Sequence, residues 1–132
     1  MRVKQVLAIC VAILITVVAA SAGTLRIESA SKAQRNIIQT ALGDKLPISK
    51  IAAIKSSNHS KAYYVGAVFH AEGVGSVTGI WLVGGEKNAP SLVFSVDGAA
   101  HQFSGMRKAS ETKAAAYIWD PEAKALEKYL GK

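Results

Sequence analysis

The sequence predicts an α+β fold: an N-terminal apolar helix acting as signal or anchor, then a helix, a three- to four-stranded antiparallel sheet and short C-terminal helices. Three observations lead there. Residues 6–22 contain no charge. The stretches "AYYVGAVFH", "VTGIWLVG" and "SLVFSV" are rich in β-branched and aromatic residues and are separated by glycine- or proline-containing connections. Helix-capping patterns flank this middle region. With 132 residues, the chain divides into a leader, 1–23, and a single exported domain, 24–132.

The leader opens with Arg2 and Lys4 and continues as an apolar run of a length between that of a signal peptide and a membrane span. A helix apolar all round does not suit a soluble surface, where one polar face is the norm. Ala20-Ser21-Ala22 supplies a small-x-small cleavage site before Gly23, so a signal peptide and a transmembrane anchor both remain open. The two cations hold the N-terminus inside and place the rest of the chain in an extracytoplasmic location, membrane-anchored or secreted. Cys10, the only cysteine, lies within the apolar run behind Ile9, a context unlike that of a lipidated cysteine. The exported part therefore contains no disulfide or thiol nucleophile, and packing must hold it together.

In "SKAQRNIIQTALG", Ser31 and Gln34 form a capping box, Ile37, Ile38, Ala41 and Leu42 make an apolar stripe, and Gly43 suits the C-terminus. Lys32, Arg35 and Gln39 are expected to face water. "ISKIAAIK", between Pro47 and the polar loop "SSNHS", reads as a short strand. In the next strand Tyr63, Val65, Ala67 and Phe69 share one face. Tyr64, Gly66, Val68 and His70 share a mixed face that helices would cover in part.

"EGVGSVTG" brings three glycines together, but they lead into a strand and lack the Gly-Lys-Ser/Thr ending of a phosphate loop. Gly73 and Gly75 read as hairpin residues with positive φ, and Gly79 as a bulge or a close contact. "VDGAAHQFS" reads as a short helix capped near Asp97, with Ala99, Ala100 and Phe103 inward. "SETKAAAYIW" fits a helix or a strand equally. In "DPEAKALEKYLGK", Asp120 is the expected N-cap, Pro121 the first helical residue, and Ala123, Leu126 and Leu130 the buried face.

Taking Arg2 and Lys4 from the 16 basic residues leaves 14 against 9 acidic ones, a charge of +5 for the exported part. These charges are scattered and form no basic, aromatic-interleaved face, so nucleic acid is not an expected partner. The expected partners are the membrane, through the N-terminal segment, and a cell-envelope polymer or protein. His59, His70 and His101 show no zinc-motif spacing, and no serine sits in a nucleophile elbow. No metal or other cofactor is expected. Glu72 and Asp97 are the one acidic pair at strand ends. The candidate binding surface is Tyr63, His70, Asp97 and His101. Of the aromatics Tyr63, Tyr64, Trp81 and Trp119, most are expected in the core of so small a domain.

Across residues 62–104, "AYYVGAVF…TGIWLV…LVFSVDGAAHQFS" resembles small exported actinobacterial proteins of unknown function: an aromatic-rich strand, a Gly-x-Trp strand, then a Val-Asp segment and a helix. The resemblance implies an exported domain and transfers no catalytic residue; "LVGGEKN" after Trp81 departs from its more polar pattern. The leading expectation is a non-catalytic binding or accessory module at the cell envelope. A small extracytoplasmic hydrolase and a secreted inhibitor or toxin-neutralising protein are the alternatives.

Overall fold

The computed structural model describes residues 25–131; the apolar run expected to be a signal or anchor helix, and the Ala20-Ser21-Ala22 motif, lie outside them. The elements follow in the order α1 (Lys32–Leu42), β1 (Ile48–Lys55), β2 (Ala62–Ala71), β3 (Gly75–Glu86), β4 (Ala89–Ser95), α2 (Gly98–Ser104), a 3₁₀ turn (Ala109–Glu111) and α3 (Pro121–Leu130). The four strands form one antiparallel meander in sequence order, so the α+β expectation holds with the sheet at four strands. Among the described residues no helix is long and apolar enough to cross a membrane.

Alternation along β2 builds a core on each face of the sheet. Val65, Ala67 and Phe69 join Ala53, Trp81 and Val83 beneath α1 and α2, which contribute Ile38, Leu42 and Ala100. Tyr64 joins Ile54, Ile80 and Leu82 beneath α3, which contributes Ala123, Leu126 and Leu130. Both faces are thus covered, which explains why the strands read as nearly continuous apolar runs rather than a clean alternation. Gly66 admits α3 to close range: a Cβ there would stand 2.5 Å from Leu130 Cδ1. Gly79 is a close contact and lies under the Trp81 indole, at 2.7 Å from a would-be Cβ. Gly73 and Gly75 take φ of 82° and 103° in the β2–β3 turn, as the hairpin reading requires.

The α1 capping box is present, with Ser31 Oγ accepting from Gln34 N–H and Gln34 Oε1 accepting from Ser31 N–H. Gln39 departs from its expected solvent position. Its amide donates to the carbonyls of Gly43 and Leu46 and its Oε1 accepts from Ile48 N–H, fastening the α1–β1 connection. β3 and β4 run further than expected, to Glu86 and from Ala89, because a register shift at Gly84/Gly85 carries the ladder past the glycine pair. The ambiguous stretch before α3 is neither long helix nor strand. It is the 3₁₀ turn followed by successive turns, with Ala115 at φ 46°.

Candidate functional site

The sequence-predicted surface residues occupy separate places. Tyr63 is half-buried near the start of β2, packed on the α1–α2 core, with Lys87 Nζ 6.0 Å from its ring centroid. His70 is exposed near the other end of the same strand, paired with Ser76. Seven residues of strand separate the two, about 23 Å. His101 is exposed on α2, and its Nδ1 lies 2.9 Å from the Met106 carbonyl. Asp97 caps α2: its Oδ1 accepts from Ala100 N–H at 2.8 Å and from Ile80 N–H at 3.2 Å. Burial pushes the Asp97 carboxyl above its ordinary range; the two N–H donors oppose the shift, and Glu127 adds to it. Trp81 is fully buried, and its indole N–H donates to Ser104 Oγ at 3.0 Å.

Of these residues, Asp97 lines an open cleft of about 290 Å³. One wall is the β4–α2 junction, Val96 to Gly98. The second is Lys108 and Ser110 at the 3₁₀ turn, and the third is the turn Tyr117, Ile118, Trp119. The third wall corrects the assignment of Trp119 to the core. Trp119 is 66% exposed and Ile118 45% exposed. The Tyr117 and Trp119 rings stack at 4.6 Å between centroids with an interplanar angle of 8°.

A buried polar anchor holds that turn. Asp120 stands at the N-cap position of α3, but its side chain does not cap the helix. Its Oδ2 accepts from Tyr64 O–H at 2.5 Å and from Tyr117 N–H at 2.9 Å, and its own N–H donates to the Tyr117 carbonyl. The start of β2 therefore fixes the turn that presents Trp119. Glu122, fully buried in the first turn of α3, accepts through Oε2 from the N–H and hydroxyl of Ser57, which fastens the β1–β2 loop to the helix start.

His59 is held in that loop. Its Nδ1 lies 2.9 Å from Ser56 Oγ and its Nε2 contacts the Ala114 carbonyl. Ser56 Oγ also accepts from the N–H groups of Asn58 and His59, as a hydroxyl does in a tight loop, and Ser56 is buried. A shallow groove of about 440 Å³ lies beside the loop, over Leu82, Leu92 and Phe94. Among the described residues no group of three or more His, Cys, Asp or Glu side chains converges to hold a metal.

From the sequence Trp119 groups with the core aromatics, because "YIWDP" has no clear period that would place it on a surface. The usable signal was Pro121 closing an irregular stretch just before a helix, a place where aromatics reach the surface. No protein-family model, curated protein or solved structure matches the chain.

Proposed function

We propose that this chain is a non-catalytic binding module of the cell envelope, and that the Tyr117–Trp119 cleft is its contact surface. The observation that carries the reading is Trp119, a large aromatic left 66% exposed beside a cleft while Trp81 is fully buried. Exposing a tryptophan forgoes the hydrophobic gain of burial, and tryptophan and tyrosine are the side chains that anchor interfaces. The two rings are already stacked on each other without a partner, an arrangement that lowers the ordering cost of binding. Lys108 and Ser110 on the opposite wall provide polar donors for orientation. The Asp97 carboxylate is engaged as a helix cap, a structural role within the same wall.

The test uses tryptophan fluorescence of the exported domain titrated with soluble cell-wall fragments. Trp119→Phe reports on Trp81 alone, and Trp81 should not respond. Trp119→Ala removes the reporter, so its binding is read by isothermal titration calorimetry; it should abolish saturable binding while leaving the unfolding free energy within about 0.5 kcal/mol, as for a surface residue. Saturable binding that survives Trp119→Ala sinks the assignment.

A further inference from the structure

The opposite edge of the molecule carries a second surface. Residues 25–28 lie along β1, and Glu28 exchanges both backbone hydrogen bonds with Ala53, at 2.8 and 3.0 Å. Leu25 and Ile27, two apart in this extended segment, remain 48% and 37% exposed. Ile27 lines a shallow apolar groove of about 210 Å³ with Ala125, Lys128 and Tyr129 of α3. Tyr129 is 43% exposed, and Lys50 Nζ sits 4.7 Å from its ring centroid. Lys124 and Lys128, one helical turn apart, are exposed beside it. Glu28, the acid in the same segment, is engaged by Lys87 at 2.6 Å.

We propose that this edge seats the domain on an anionic membrane surface, with Leu25, Ile27 and Tyr129 in the interface and Lys50, Lys124 and Lys128 on lipid phosphates. The inference rests on the reading of the N-terminal run as a retained anchor. Two residues, Gly23 and Thr24, separate that run from Leu25. Three residue steps of extended chain reach at most about 11 Å. Leu25 is therefore tethered close to the head groups, at a reach somewhat beyond the Debye length of about 8 Å at physiological salt. Apolar and aromatic side chains flanked by lysines suit that boundary, since tyrosine sits at head-group depth and lysine stems lie along the apolar surface with the charge outward. The Val96–Gly98 wall of the cleft continues from β4, the strand at the far edge of the sheet from β1.

The full chain, in a Cys10→Ser background, is reconstituted into vesicles of phosphatidylcholine with phosphatidylglycerol and into phosphatidylcholine alone. One variant carries a fluorescent label at Ala125→Cys, the other at Leu92→Cys on β4. Head-group spin-labelled lipid should quench the label at position 125 several-fold more than the label at 92, and more in the anionic vesicles. Lys124→Glu with Lys128→Glu should reduce that difference while far-UV circular dichroism stays unchanged. Equal quenching at the two positions, or quenching at 125 that ignores both lipid charge and lysine reversal, overturns the docking proposal with the anchor reading intact. A full chain that fails to float with either vesicle overturns the anchor reading, and the docking proposal with it.

Discussion

The hydroxyl of Tyr64, in the middle strand pair, donates to the carboxylate of Asp120 at 2.5 Å, and both side chains are buried. This bond joins the sheet to the start of α3 and, through Tyr117 N–H, to the turn that carries Trp119. Burial is the main reason that the Tyr64 pKa lies far above the usual phenol value; the hydrogen bond to Asp120 and the charges of Asp120 and Glu122 push it the same way.

Tyr64→Phe should therefore destabilise the domain by about 1–3 kcal/mol, since it leaves a buried carboxylate oxygen short of a donor. The pH dependence has a definite sign. A pKa raised on folding gives stability that is present below the unfolded value, about 10 for tyrosine, and lost as pH rises above it. The gap between parent and Tyr64→Phe in urea unfolding should narrow above that pH. A gap that stays constant contradicts the assignment.

Asp97 gives the same sign in another window. Its carboxyl is held above the ordinary range mainly by burial, so its contribution is present below about pH 4 and lost as pH rises through the folded value. Asparagine keeps an oxygen for the Ala100 and Ile80 N–H groups, carries no charge and caps helices about as well. Relative to the parent, Asp97→Asn should gain in melting temperature between acidic and neutral pH. Calorimetry across that range decides, and parallel curves would argue against a buried, charge-averse Asp97.

Trp81 closes the core beneath α1 and α2, with Phe69 6.3 Å away between ring centroids and Phe69 in turn edge-on to Phe103 at 5.3 Å. Trp81→Ala should cost about 3–5 kcal/mol, the range for large aromatic truncation in a core. Small domains have about 5–15 kcal/mol in total, so the variant should melt far earlier than the parent. Melting unchanged from the parent would contradict the burial of Trp81.

Two glycines separate rigid from compliant neighbours. A Cβ at position 79 meets the Trp81 ring at 2.7 Å, and Trp81 is fully buried. At position 66 the nearest atoms are the methyl ends of Leu130 and Ile80, at 2.5 and 3.1 Å. Gly79→Ala should therefore cost about 1–3 kcal/mol by overpacking, and Gly66→Ala less, because a terminal methyl can rotate away. Guanidinium unfolding of both variants is the comparison, and equal losses would remove the distinction.

By itself the sequence determined the parts whose signals are local. The Ser31–Gln34 capping box, the strand composition around Tyr64 and Trp81, the positive-φ glycines 73 and 75, and the Pro121 helix start all depend on residues within a few positions of one another, so propensity and periodicity expose them. Tertiary structure alone decided which faces meet and what remains outside. Tyr64 reaches Asp120 across 56 positions and Ser57 reaches Glu122 across 65. No short-range pattern could show that Asp120 serves a tyrosine and a turn instead of capping its own helix. Trp81 and Trp119 are the same residue type and each follows an isoleucine, in "GIWLV" and "YIWDP". One is sealed because a sheet face and two helices close over it, and the other stays in water because the turn held by Asp120 carries it past the edge of the core.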